Sequence, residues 1–66
     1  MIITNLKETR IKVGLNQREL AEKVHMSQSL ISDFERGTRK VYRSAAARLS
    51  DALGVPVDEL FPEDKG

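Results

Sequence analysis

Between Arg36 and Ser50 the chain carries five cations, Arg36, Arg39, Lys40, Arg43 and Arg48, and no anion. Such a run serves either of two ends: a grip on a polyanion such as nucleic acid, or plain solvated surface. Just upstream, Gln28, Ser29, Ser32 and Asp33 supply short polar groups that can donate and accept hydrogen bonds. Groups suited to covalent or acid–base catalysis are missing. His25 is the single histidine and has no nucleophile or metal-ligand partner at useful spacing, and no glycine-rich phosphate loop occurs. Cysteine is absent, which removes disulfides and thiolate metal sites and fits a reducing compartment. The expectation is a non-enzyme with no cofactor, no metal and no small-molecule ligand.

Net charge is only +1, but it is unevenly divided. Residues 1–50 hold ten basic and five acidic side chains, whereas residues 51–66 hold Lys65 against Asp51, Asp58, Glu59, Glu63 and Asp64. A basic face with an acidic end turned away from it is the implied arrangement. With 66 residues there is room for one small domain, expected over 1–61, with 62–66 as a short flexible tail. No apolar run approaches the roughly 20 residues of a membrane span, and no signal pattern opens the chain, so a soluble cytoplasmic protein is expected.

Those polar groups need elements to hold them, and the punctuation divides the chain into five short helices after an extended start at residues 1–3. Asn5 with Glu8, and Asn16 with Glu19, are capping-box arrangements that open helices running to about Val13 and Val24. Ser27 caps a third helix, about residues 28–36, with Gly37 beyond its end. A fourth runs from Arg43 or Ser44 to Leu53, closed by Gly54, and a fifth covers roughly residues 57–61 between Pro56 and Pro62. Apolar spacing selects Leu20, Ala21 and Val24, then Ile31 or Leu30 with Phe34, then Ala46, Leu49 and Leu53 as core. Ile3, Leu6, Val13 and Leu15 are the candidates near the first helix, and Leu60 and Phe61 close the base. The fold class is all-α, a compact five-helix bundle.

Two of these helices are joined only by His25 and Met26 before a serine cap, the pattern of a helix-turn-helix. Such a pair requires a small residue at its closest approach, an apolar residue inside its second helix and a turn residue that tolerates positive φ. Ala21, Ile31 and His25 stand in those places. The stretch LNQRELAEKVHMSQSLISDFERG, residues 15–37, resembles the helix-turn-helix of Cro/C1-type (XRE) regulators, most of all lambdoid phage repressor DNA-binding domains. The spacing of Gln17, Glu19, Ala21, Ser27, Ile31, Glu35 and Gly37 carries the likeness, which extends outward to Arg10 and to residues 52–55.

The resemblance implies a lambda-repressor-like fold and a transcription regulator, repressor or controller, that binds a palindromic operator as a homodimer. Its third helix would lie in the major groove of double-stranded DNA. Gln17 would donate to a phosphate and brace Gln28, which would read an adenine edge. Ser29, Asp33 and Ser32 would face bases too, Asp33 by accepting from cytosine N4; a solvent-facing charge is the other reading of Asp33. Arg36, Arg39, Lys40 and Arg43 would grip the phosphate backbone. Arg10 and Glu35 would form an internal ion pair that is structural in role. The apolar group Val55, Pro56, Val57, Leu60 and Phe61 has two readings, dimer interface or core closure. Three departures stand out: His25 in place of the turn glycine, Val41 and Tyr42 where relatives have proline, and Ser29 with Asp33 as unshared reading residues. The competing function is an antitoxin or adaptor that uses the same fold mainly to bind a protein.

Overall fold

The computed structural model describes residues 4–62. The extended start at residues 1–3, with Ile3 as a core candidate, and residues 63–66 of the expected tail lie outside the described residues. Among those described, the chain forms α1 (Leu6–Val13), α2 (Gln17–Val24), α3 (Gln28–Arg36), α4 (Arg43–Leu53) and α5 (Val57–Leu60). The helix boundaries follow the capping chemistry. Asn16 accepts from the Glu19 amide at 2.7 Å while Glu19 reaches back to the Asn16 amide at 2.9 Å, a complete capping box at the head of α2. Ser27 accepts from the Leu30 amide at 3.1 Å and opens α3.

At the head of α1 the expected capping box does not form. The Asn5 side chain makes no cap hydrogen bond. Its Nδ2 donates instead to the Glu59 carbonyl at 2.9 Å and its backbone amide to the Leu60 carbonyl at 2.8 Å. The Thr4 hydroxyl accepts from the Leu6 amide in its place. Local sequence favoured a cap, but the nearby unpaired carbonyls of α5 are the stronger claim, because a helix end leaves such carbonyls without internal partners. This contact closes the first helix against the last.

α4 is the central element: it packs against α1, α2 and α5, and α3 packs against α1 and α2. Phe34, Phe61, Leu6, Leu20, Ile31, Leu49 and Leu60 are fully buried, each contributing about 1.5–3 kcal/mol by leaving water. Two core expectations need correction. Val13 is exposed although it stands seven residues after Leu6 and so on the same side of α1, because it is the last residue of the helix, where the chain turns off at Gly14. Leu15 is only partly buried at the rim. Conversely, Val41, which stands where relatives have proline and is not among the core candidates, is buried in the core, and Tyr42 beside it sets its ring edge-on to Phe34 with centroids 6.5 Å apart. The end of the segment between α3 and α4 is thereby pinned to the core just before α4 begins.

Candidate nucleic-acid interface

The turn between α2 and α3 decides which way α3 points. His25 adopts φ 59°, ψ 46°, the left-handed conformation that a turn of this kind requires. It is the one non-glycine residue at positive φ among those described. Its amide and that of Met26 close the end of α2 onto the Glu22 and Ala21 carbonyls. Ala21 on α2 and Ile31 on α3 are both buried, and the two helices pack against each other. With Ile31 and Phe34 turned inward, Gln28 and Ser29 are exposed at the start of α3, and Ser32 and Asp33 are half-buried further along.

A continuous polar chain leads from the interior to the exposed end of α3. Arg10 on α1 and Glu35 on α3 pair through Nε and Oε2 at 2.6 Å, their side chains only 10% and 4% exposed. The second Arg10 contact, Nη2 to Oε1, is 3.4 Å, and Nη1 donates to the Leu15 carbonyl at 2.8 Å. Glu35 Oε1 also accepts from Gln17 Nε2 at 2.9 Å, and Gln17 Oε1 accepts from Gln28 Nε2 at 3.5 Å, the limit of a hydrogen bond. A planar guanidinium therefore orients a carboxylate, which orients one amide and through it the next. Among the described residues no buried side-chain polar atom lacks a partner.

The cations gather at the other end of α3. Arg36 ends the helix, Arg39 and Lys40 follow Gly37 in the connecting segment, and Arg43 begins α4; all four are exposed. Lys40 and Arg43 make no ion pair among the described residues, whereas Arg36 and Arg39 both do. Asp33 receives Arg36 Nη2 on Oδ1 at 2.6 Å and Arg39 Nε on Oδ2 at 3.4 Å. The hydrogen bond from Arg36 holds the Asp33 carboxyl below the ordinary aspartate range, against an opposing effect of desolvation and with help from Arg39. Asp33 is thus ionised at neutral pH and shared between two arginines.

The structure brings together most of what the sequence nominated, with two revisions. Leu60 and Phe61, grouped with the dimer surface, are fully buried within the protomer and cannot form an interface without unfolding its base. Val55 and Val57 are partly buried against the core, and Pro56 is exposed. The engagement of Asp33 was missed. Its i, i+3 spacing to Arg36 was a readable signal; the approach of Arg39 depends on how Gly37 turns the chain and was not. The Thr38 amide and hydroxyl both bond the Asp33 carbonyl, which fixes that turn.

Residues 6–60 match the helix-turn-helix family. The chain is 35% identical over 60 residues to the HTH-type transcriptional regulator ImmR of Bacillus subtilis, covering 91% of this chain and 47% of ImmR. It is 38% identical over 50 residues to the control protein C.BamHI of Bacillus amyloliquefaciens, covering 76% of this chain and 62% of that protein. The chain thus spans about half of one curated relative and under two thirds of the other. Among solved structures, the restriction-modification controller protein C.AhdI from Aeromonas hydrophila superposes with TM-score 0.80 at 35% identity, over 86% of both chains. The hypothetical transcription factor NHTF from Neisseria superposes with TM-score 0.78 at 27% identity, over 91% of this chain and 70% of that one.

Proposed function

The chain belongs to the Cro/C1-type helix-turn-helix family of transcription regulators, and on that premise we propose that it binds a palindromic double-stranded DNA operator as a homodimer. The observation that carries the reading is the polar chain from Arg10 through Glu35 and Gln17 to Gln28. A structural ion pair has no need of two further amides in series. A residue that must present one face to a base edge does, because orientation set before binding lowers the entropy lost on binding.

The mechanism follows from geometry. α3 is nine residues and about 13.5 Å long, and a helix with its side chains is about 10–12 Å across, which a major groove about 12 Å wide admits. Gln28 lies at its exposed start, where a side-chain amide can bond adenine N6 and N7 together. Ser29 and Ser32 share that face and contact bases or nearby phosphates. Gln17, at the first position of α2, donates to a phosphate from the free hydrogen on its amide. On the far side, Arg36, Arg39, Lys40 and Arg43 meet the backbone, holding register without reading sequence. The first amides of α4 add donors for a phosphate, and its first turn contains no acidic residue to oppose one.

One such helix reads about four base pairs, so specificity calls for two protomers on half-sites about 34 Å apart. Val55, Pro56 and Val57 are the apolar residues left to join them. Selection from random duplexes at near-physiological salt tests the reading. A palindromic consensus with half-sites one turn apart is the expected result. Recovery of no sequence above background would refute it and favour a protein partner for the same fold. Among the described residues no helix is long and apolar enough to cross a membrane.

A further inference from the structure

We propose that Asp33 is a positioning residue that sets DNA specificity by holding Arg36 and Arg39 away from non-operator phosphates, an inference that rests on the DNA-binding reading above. The geometry is that of one carboxylate shared by two guanidiniums, at 2.6 and 3.4 Å. Asp33 is the one carboxylate paired with either arginine among the described residues, and between Asp33 and Asp51 the sequence holds no other anion except Glu35, which Arg10 and Gln17 occupy. The arginine side chains are 63% and 57% exposed, so nothing but Asp33 restrains them. The Thr38 bonds to the Asp33 carbonyl keep the turn bearing Arg39 over the carboxylate.

Non-operator binding is almost wholly a matter of cations reaching phosphates, with no demand for a single pose. A guanidinium loose on a flexible stem reaches whichever phosphate passes. Held by Asp33, the same group must give up a charge-assisted bond before it can follow a phosphate out of its fixed place. A guanidinium carries five donors, and Asp33 uses Nη2 of Arg36 and Nε of Arg39. The remaining N–H groups stay free in a fixed orientation. On an operator, where base contacts seat α3 in one register, phosphates can be met by those free donors with the carboxylate bonds intact. The arrangement therefore penalises loose complexes and spares the seated one.

The test compares the wild-type protein with Asp33→Asn, a change of equal size at a half-buried position, on the selected operator and on a scrambled duplex across a salt series. Asp33→Asn is expected to tighten binding to the scrambled duplex about tenfold. It should steepen the log–log salt slope there by about 1.8 per protomer, the value for two added phosphate contacts. Operator affinity should rise less than about threefold, so that the specificity ratio falls. Adding Arg36→Gln and Arg39→Gln to Asp33→Asn should abolish the gain in slope. In the free wild-type protein, the Arg39 Nε–H resonance should exchange slowly with water, and Asp33→Asn should collapse that protection. Equal gain on both duplexes, no gain on the scrambled one, or an unprotected Arg39 Nε–H in the wild type would overturn the proposal. So would a loss confined to one operator base pair, which would make Asp33 a direct reader of cytosine. A wild-type protein that binds no duplex at all would instead remove the regulator reading on which this one stands.

Discussion

Glu35 is where the interior of the protein meets the exposed start of α3 through Gln17, since one oxygen pair serves both Arg10 and Gln17. Its removal acts on both. Glu35→Ala leaves the Arg10 guanidinium in a nearly closed site with only the Leu15 carbonyl for company, which costs about 3–5 kcal/mol. Urea unfolding should show that loss, and DNA binding should fall in step with the unfolded fraction. Lost binding at unchanged stability would make the pair a functional contact rather than a structural one. Gln28→Ala lies at the exposed end of the same chain and should do the reverse. Folding should hold while operator affinity drops by about 1–3 kcal/mol and preference relaxes at one base pair. If base preference were untouched in a repeated selection, Gln28 would not be in the groove. These four residues were legible in the sequence because each sits at a fixed offset within one motif. The second partner of Asp33 was not, because Arg39 reaches it only through the backbone turn at Gly37.

At the scale of elements, the helix ends were legible wherever the cap is local. Asn16, Ser27 and the glycines after α1, α3 and α4 stop or start helices by chemistry within a few residues. Legibility failed where a distant element intervened: the Asn5 side chain bonds α5 rather than its own helix, and Val41 turns into the core formed by the other helices. The second case matters for the site, since a buried Val41 holds the segment that carries Arg39 and Lys40. The turn between α2 and α3 presents a different balance. His25 occupies the left-handed region where a side chain with a Cβ is strained by about 1–2 kcal/mol, an amount glycine avoids while losing more chain entropy on folding. His25→Gly should therefore stabilise the protein, by up to about 1 kcal/mol, and His25→Val should destabilise it by more than that. Thermal melts of the two variants against wild type decide the matter. A lower melting point for the glycine variant would mean that His25 makes contacts worth more than its strain.

At the scale of the whole molecule, four of the eleven cations, Arg36, Arg39, Lys40 and Arg43, lie around the end of α3 and the start of α4, while Asp51, Asp58 and Glu59 follow later in the sequence. In the proposed complex the basic group would face the duplex and the α5 end would meet a second protomer. Leu60 and Phe61 are consumed by the core, so the proposed dimer would rest on Val55, Pro56, Val57 and their polar rim. An interface that small would bind weakly by itself, and in the proposed complex DNA would do much of the joining, because two linked half-sites turn the second binding event into an intramolecular one. Val57→Glu tests this reading: it adds an anion beside Asp58 and Glu59 at the head of α5, at a cost to folding of about 1 kcal/mol. Sedimentation should show the variant as a monomer at concentrations where wild type dimerises. Affinity for the full palindrome should fall about a hundredfold, while affinity for a single half-site should not change. A folded variant that still dimerises would place the interface elsewhere on the protein. Equal losses on the palindrome and the half-site would mean that the substitution had damaged the fold rather than the pairing.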